Sequence, residues 1–196
     1  MGQRTQSVFE VVKTFEDYST GKKTKKTYVG SYHNQWGIAK MQLLDVIRFI
    51  TTYQDCCSTD DYDMPERLYK AYLLDGKEYE YPFKGKATPE KVMEWLNSQD
   101  NNNGGLLLKL NVDNFNNIQS GELYIFNDPE REYSDYYDKH PDGDSDKVFD
   151  VNRCISLFEY MCLYPEYFNE PFITAFTSLM RFYNIEIKEP EREDKC

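Results

Sequence analysis

The segment 33–37 (HNQWG) combines residue types that could do chemistry, at the junction between a predicted strand and a predicted helix. Such a junction places side chains at the end of a sheet and exposes the first N–H groups of the helix. His33 could act there as a general base, with Asn34 and Gln35 as orienting groups. We favour a simpler interpretation, in which His33 or Asn34 caps the helix and Trp36 fills the core, because His33 has no fixed partner in the sequence.

The segment 138–150 places aspartates at alternating positions, as a calcium-binding loop does. If Asp138 is the first position, Gly143 occupies the sixth, where an EF-hand requires glycine. Phe149, however, stands where such a loop has its bidentate glutamate, so we expect a solvated acidic loop and no bound metal. The ligands of such a metal site would be Asp138, Asp142, Asp144 and Asp146.

Five cysteines, at positions 56, 57, 154, 162 and 196, form no CxxC pair, and a structural zinc site is therefore not expected. A cysteine–histidine pair could act as a nucleophile. Nothing in the sequence connects the adjacent cysteines 56–57 with His33 or with His140, and no positive cluster flanks them. We therefore expect reduced thiols without a catalytic role.

Residues 122–150 hold ten acidic and three basic residues, a net charge of −7, and include several tyrosines. Acidic side chains can pair with lysine and arginine, and tyrosine is common at protein interfaces. A run of charge is more often simply solvated, and both interpretations stay open at this point. The residues that would contact a basic partner are Tyr133, Asp135, Tyr136, Tyr137, Asp138, Asp142, Asp144 and Asp146.

The elements that must position these segments begin with a hairpin and a helix. Residues 7–13 and 27–33 are rich in β-branched and aromatic side chains and predict two strands, joined by a turn with four lysines. Apolar residues then recur at helical spacing over 37–53. The residues expected on the inward face of this helix are Ile38, Met41, Leu44, Ile47 and Ile50, and Leu43, Val46 and Phe49 widen this apolar stripe.

The second half of the chain adds helices and strands. Thr88 and Pro89 predict the start of a helix, and two strands are predicted at 106–112 and 121–127. Two further helices are predicted at 150–164, capped by Asp150, and at 169–183, capped by Asn169, with a possible last strand at 185–187. Cys154 and Cys162 are expected in the core of the first of these two helices.

This order of elements, ββα…αββ…αα, predicts an α+β fold with a mostly antiparallel sheet and helices packed on it. We expect one domain over residues 1–188. Its parts are a sheet-forming region (1–127), an acidic, tyrosine-rich excursion (128–149), the C-terminal helices with the possible last strand (150–188), and then a charged tail (189–196).

The composition excludes some classes of function. The 196 residues carry a net charge of −11, and an acidic chain is repelled by phosphate backbones, so direct nucleic-acid binding is not expected. No apolar run approaches the about 18–20 residues that span a bilayer, and the first residues contain no apolar segment of a secretory signal. We therefore expect a cytoplasmic protein without a membrane partner.

Four short patches resemble a group of small bacterial and phage proteins: MGQR at 1–4, HNQWG at 33–37, GGLLLKL at 104–110 and GELYIF at 121–126. Proteins of this group begin MG-N/Q-R and carry an HNQWG or HWNGG signature. The resemblance implies a phage or plasmid accessory protein, and no catalytic residues follow from it. By analogy, small acidic proteins of that setting resemble anti-CRISPR and other anti-defence inhibitors, which occupy the nucleic-acid surface of a nuclease.

These observations together predict a non-catalytic, acidic inhibitor in the cytosol of a bacterial host. Its expected partner is a basic protein surface, on a CRISPR nuclease or on another nucleic-acid-binding defence protein. No cofactor is expected. Two alternatives remain: a small hydrolase or nuclease-like enzyme that uses His33, Asn34 and the acidic loop, and a housekeeping accessory protein.

Overall fold

A computed structural model describes residues 5–34, 37–56, 78–79, 86–97, 104–127 and 153–190. Within these ranges the chain has the predicted α+β fold, and none of their helices is long and apolar enough to cross a membrane. The elements in chain order are β1 (Thr5–Asp17), β2 (Lys22–Asn34), α1 (Lys40–Cys56), β3 (Glu78–Tyr79), α2 (Pro89–Asn97), β4 (Gly105–Val112), β5 (Ile118–Asn127), β6 (Arg153–Ile155), α3 (Leu157–Leu163), a 3₁₀ turn (Pro165–Tyr167), α4 (Glu170–Phe182) and β7 (Ile185–Ile187).

The strands form one mixed sheet in the order β3-β2-β1-β4-β5-β6, and β7 pairs with β5 beside β6. The pairs β1–β4 and β5–β7 are parallel, whereas β1–β2, β2–β3, β4–β5 and β5–β6 are antiparallel, as a mostly antiparallel sheet requires. β4 lies in the centre, between β1 and β5. This position explains the leucine run at 106–108, because a strand covered on both faces has no solvent side.

Helices cover both faces of the sheet. On one side, called the α1 face, Phe9 and Leu108 pack against α1, α3 and α4. On the other, called the α2 face, Val8, Leu107 and Phe126 pack against α2. Neighbouring residues of one strand point to opposite faces of the sheet. Residues 8 and 9 therefore belong to different cores, and so do residues 107 and 108.

The inward face of α1 agrees only in part with the predicted one. Met41 is 38% exposed, and Leu44 and Ile47 are only half-buried, although Ile38 is buried as predicted. The helix begins at Lys40, and the ring of Phe49 stacks on Phe9 of β1 at 4.2 Å, so the edge of the predicted stripe that holds Leu43, Val46 and Phe49 faces inward. The buried apolar residues of α1 are Leu43, Val46, Phe49, Ile50 and Tyr53.

The start of the first C-terminal helix also differs. Of the predicted helix 150–164, residues 153–155 form a short strand, β6, and residues 157–163 form α3, while Asp150 lies outside the described residues. Ser156 caps α3: its hydroxyl accepts from the N–H of Glu159 at 3.0 Å, and the Glu159 carboxylate accepts from the N–H of Ser156 at 2.8 Å. This reciprocal capping box is a stronger local signal than the one that Asp150 offers.

Of the two cysteines expected in the core, Cys154 packs against the α2-face core and Cys162 does not belong to a core. Cys162 is exposed and Cys154 is half-buried, because Cys154 lies on β6 and so does not share a helix face with Cys162. Burial raises the pKa of the Cys154 thiol, which keeps it protonated and unreactive. The predicted start of α4 is confirmed, since the side chain of Asn169 accepts from the N–H of Phe172 at 3.0 Å.

Candidate functional site

His33 and Asn34 lie at one end of the sheet, where β2 ends and where β1 and β4 begin, whereas residues 35 and 36 lie outside the described residues. The register places His33 opposite Gln6, and it places Gln6 opposite Gly105 on the other side of β1. The beginning of the HNQWG patch and the beginning of the GGLLLKL patch, far apart in sequence, therefore meet beside the first described residues of β1.

Asn34 binds a buried carboxylate at this end of the sheet. Its Nδ2 donates to Oδ2 of Asp45 at 2.9 Å, and Asp45, in the second turn of α1, is 1% exposed. Nη1 of Arg48 lies 3.6 Å from the other oxygen, Oδ1. The expectation that Asn34 caps the helix is therefore wrong, because α1 begins six residues later and the Asn34 amide reaches its side.

Two further polar side chains connect α1 with β1 and α3. The hydroxyl of Tyr160 donates to Oε1 of Gln42 at 2.8 Å, and Nε2 of Gln42 donates to the backbone oxygen of Gln6 at 3.4 Å. Burial raises the pKa of Tyr160 well above its ordinary value, so the hydroxyl keeps the proton that it donates. We call Asn34, Gln42, Asp45 and Tyr160 the strand-end cluster.

The close packing around Gly37 explains why the HNQWG patch ends in glycine. A Cβ at this position would lie 2.1 Å from Oγ1 of Thr5 and 2.9 Å from Cβ of Asn34. Only a residue without a side chain allows the loop to approach β1 this closely. The patch thus has a packing reason that does not depend on chemistry.

The strand-end cluster does not gather the groups of a nucleophilic site. Cys56 ends α1, eleven residues after Asp45, which is about 16 Å along a helix that rises 1.5 Å per residue. The backbone of α1 therefore leads Cys56 away from Asn34. Cys57 and His140 lie outside the described residues.

The residues predicted to contact a basic partner or calcium also lie outside the described residues: Tyr133, Asp135, Tyr136, Tyr137, Asp138, Asp142, Asp144 and Asp146. Their roles stay predictions. Within the described ranges, no group of three or more histidine, cysteine, aspartate or glutamate residues is placed to hold a metal ion.

A second polar arrangement crosses the α2 face of the sheet. The register aligns Glu10, Lys109, Glu122 and Glu186 on the four strands β1, β4, β5 and β7, and we call these residues the charged row. Nζ of Lys109 lies 3.7 Å from Oε1 of Glu10 and 3.9 Å from Oε2 of Glu122. The lysine is thus shared by two carboxylates.

Glu10 is 1% exposed, so its charge needs compensation inside the protein. Its second oxygen, Oε2, accepts from the backbone N–H of Ala87 at 2.5 Å, just before α2 begins. Together with Lys109 this bond satisfies both carboxylate oxygens. Glu10 therefore fixes the segment that leads into α2 against the centre of the sheet.

Lys188 continues the charged row at the edge of the sheet. Its Nζ lies 3.0 Å from Oε2 of Glu186 and 3.7 Å from Oε1 of Glu122, and the bond to Glu186 raises the lysine pKa. Tyr124 donates its hydroxyl to Glu122 at 3.0 Å. Desolvation is the largest cause that raises the pKa of Tyr124, and this hydrogen bond is the second. The phenol therefore stays neutral.

A cleft of about 430 Å³ lies over the charged row. Three lysines line it: Lys109 of the charged row, Lys25 of β2 and Lys86 before α2. Lys25 and Lys86 are exposed, and within the described ranges neither has an ion-pair partner. The neutral polar residues of the lining are Thr27, Asn111, Ser120 and Asn184. The cleft therefore combines compensated carboxylates with two lysines that are not paired.

The charged row is not among the sites predicted from the sequence, although a signal for it exists there. Glu10 lies within VFEVV and Lys109 within LLLKL, each as the one charge in an apolar run. A charge in a central strand needs a partner, and one of each sign suggests that they form a pair. Which strands are neighbours cannot be derived from such local patterns.

A pair of exposed aromatic rings lies at the other end of β1. Tyr18 is 68% and Phe115 is 66% exposed, and their ring centroids are 6.4 Å apart. Nδ2 of Asn114 donates to the Tyr18 hydroxyl at 3.3 Å. Asp17 and Asp113 hold the two turns that carry these rings, through bonds to the N–H groups of Ser19 and Phe115 at 2.9 and 2.8 Å.

No family model matches the sequence, and neither a curated protein nor a solved structure matches the chain. The function therefore has to be inferred from the geometry of these sites and from the distribution of charge.

Proposed function

We propose that the protein acts by binding, as an acidic, non-catalytic inhibitor of a basic nucleic-acid-binding protein. The observation that carries this proposal is the uneven distribution of charge. The described residues, which include the sheet and its helices, hold thirteen basic and fifteen acidic residues. The rest of the chain holds ten basic and nineteen acidic residues, so most of the net charge of −11 belongs to it.

An excess of acidic residues of this kind favours a basic partner. Opposite charges steer the encounter of two proteins, and a groove that binds phosphates offers the strongest positive field on a nuclease. The segment 128–150, with its aspartates and tyrosines, would occupy such a groove as a mimic of nucleic acid. The resemblance to phage and plasmid accessory proteins makes a CRISPR nuclease or another defence protein the proposed partner.

The exposed pair Tyr18 and Phe115 supports a binding function independently of the charge. Large aromatic side chains on structured turns cost little entropy when a partner covers them, and they are frequent anchors of interfaces. The two rings are held next to each other in the protein itself.

The strand-end cluster supports binding over the enzyme alternative. An enzyme that uses Asn34 as an orienting group needs its amide for the substrate or the base. In this protein the amide is engaged by the buried carboxylate of Asp45.

The test compares two variants that lose the same amount of charge. Asp135→Asn, Asp138→Asn, Asp142→Asn and Asp144→Asn are combined in one protein. The control combines Glu94→Gln, Glu166→Gln, Glu170→Gln and Glu189→Gln, which are exposed positions of the described part. Association with a CRISPR nuclease is measured by surface plasmon resonance between 50 and 500 mM salt, with and without its guide or target nucleic acid.

We expect the association rate of the unmodified protein to fall with salt and binding to be competed by nucleic acid. The aspartate variant should bind at least about tenfold more weakly, a loss of about 1.4 kcal/mol, and the glutamate control should bind nearly as the unmodified protein. Rescue of phage plaquing on a CRISPR-defended host should follow the same order. Full activity of the aspartate variant, with a folded but inactive His33→Ala variant, would instead favour the enzyme alternative.

A further inference from the structure

We infer that the cleft over the charged row binds a small phosphorylated polyol, with the chemistry of a sugar phosphate. The inference does not depend on the inhibitory function proposed above. Its volume of about 430 Å³ lies within the range of about 300–1,000 Å³ that small-molecule sites occupy.

The lining of the cleft determines the polarity of the ligand. Val12 is the one large apolar side chain among the lining residues that the structure describes, and none of them is aromatic. A ligand with an extended apolar part would gain little there. The absence of a ring in this lining also disfavours a nucleobase, which needs a stacking surface.

The charges of the cleft favour an anionic group. Lys109 compensates Glu10, and Lys109 and Lys188 together compensate Glu122 and Glu186. Lys25 and Lys86 have no such partner within the described ranges, so their ammonium groups are available to a ligand. Lysine is a common phosphate ligand, and its bonds to phosphate are strengthened by charge.

The rest of the lining suits hydroxyl groups. Thr27, Asn111, Ser120 and Asn184 offer both donors and acceptors, and carboxylates such as Glu122 accept hydrogen bonds from hydroxyls. A phosphate next to Lys25 and Lys86 would leave the polyol part facing these groups. The mixture of acidic, basic and neutral polar side chains thus fits a ligand with one anionic end and several hydroxyls.

The cleft is also held in shape by bonds of the protein. The carboxylate of Glu10 accepts a hydrogen bond from the backbone N–H of Ala87 and so holds the backbone next to Lys86 in place. On the other side, Nδ2 of Asn111 donates to Oγ of Ser120 at 3.1 Å. The N–H of Gly121 donates to the backbone oxygen of Asn184 at 3.1 Å. A site whose walls are already positioned loses less entropy when a ligand binds.

The test is isothermal titration calorimetry of the full chain with glucose 6-phosphate, inorganic phosphate and glucose as probes. We expect glucose 6-phosphate to bind at least about tenfold more tightly than inorganic phosphate, and glucose to give no measurable heat. Lys25→Gln combined with Lys86→Gln should weaken binding of glucose 6-phosphate at least about tenfold. The control combines Lys22→Gln and Lys91→Gln, exposed lysines of β2 and α2 outside the cleft, and should leave the affinity unchanged.

Several results would overturn the inference. The first is that glucose 6-phosphate at 10 mM does not bind. The second is that glucose 6-phosphate and inorganic phosphate bind with equal affinity, and the third is that both double variants lose the same amount of affinity. Circular dichroism and the thermal midpoint identify a variant that has failed to fold. In that case Asn111→Leu, which changes an exposed residue of the lining, should replace it and should also weaken binding.

Discussion

The side-chain amide of Asn34 donates a 2.9 Å hydrogen bond to the carboxylate of Asp45, which is 1% exposed. This bond joins the end of β2 to the second turn of α1, so it stabilises the contact between the sheet and the helix. We predict that Asn34→Ala lowers the free energy of unfolding by about 1–3 kcal/mol, because a buried charged acceptor loses a donor. Urea denaturation measures this change.

The matched control is Asn114→Ala, whose amide bonds the exposed hydroxyl of Tyr18. Its effect should stay within about 0.5 kcal/mol. A double-mutant cycle of Asn34→Ala with Asp45→Asn should give a coupling energy above about 0.5 kcal/mol. Additive effects of the two changes would show that the bond contributes nothing to stability.

Alanine substitutions of the two neighbouring leucines of α1 should change the free energy of unfolding by very different amounts. Leu43 is fully buried in the α1-face core, whereas Leu44 is half-buried. Leu43→Ala should cost about 2–5 kcal/mol in the free energy of unfolding, through lost apolar contacts and the cavity that remains. Leu44→Ala should cost clearly less. Guanidinium titration of both variants shows which face of α1 packs against the sheet. A larger loss for Leu44→Ala would restore the stripe predicted from the sequence.

The ion pair of Glu10 and Lys109 provides a third prediction. Lys109→Met leaves the buried carboxylate of Glu10 with its bond to Ala87 but without its lysine, and it should cost about 3 kcal/mol. Glu10→Gln in the same protein removes the uncompensated charge. The double variant should therefore be more stable than Lys109→Met alone, as thermal unfolding would detect. A double variant that loses the sum of both single effects would contradict this account.

The stability of the turn between β1 and β2 should depend on pH. Hydrogen bonds from the side chains of Ser19 and Thr20 lower the pKa of Asp17 to about 2, below an ordinary value of about 3.9. Since the folded pKa is the lower one, the stabilisation is present above about pH 4 and is lost as the pH falls through about 2. Carboxyl ¹³C NMR should give this midpoint.

Ser19→Ala should move the Asp17 midpoint upward, because it removes the hydroxyl bond of 2.6 Å. Ser120→Ala, which changes a serine on β5, should leave the midpoint in place. An Asp17 midpoint near its ordinary value in the unmodified protein would mean that these bonds do not persist in solution.

Much of the fold follows from local signals in the sequence. Thr88 and Pro89 begin α2 as predicted, and Oγ1 of Thr88 accepts from the N–H of Lys91 at 3.4 Å. Asn169 caps α4, and the predicted hairpin and central strand are present. In each case the signal and the structure lie within a few residues of each other, so no knowledge of distant contacts is needed.

The remaining features depend on contacts that local patterns do not contain. The apolar stripe of α1 is wide, and which of its edges faces the sheet depends on tertiary contacts such as the stacking of Phe49 on Phe9. Asn34 is recognisable as a reactive type of side chain, but its role is determined by Asp45. The charged row requires the register of four strands, and its central pair joins Glu10 to a residue 99 positions later.

The parallel pairing of β1 with β4 has a consequence for how the chain folds. Gln6 and Gly105, which are paired in the sheet, lie 99 positions apart. The hairpins β1–β2 and β4–β5 connect neighbouring segments and can form early, whereas joining them requires closure of a long loop. Until that step the leucines at 106–108 have no cover on the side of β1. Refolding should therefore be slow for a chain of this size and sensitive to protein concentration, because an unpaired apolar strand edge also pairs with other molecules.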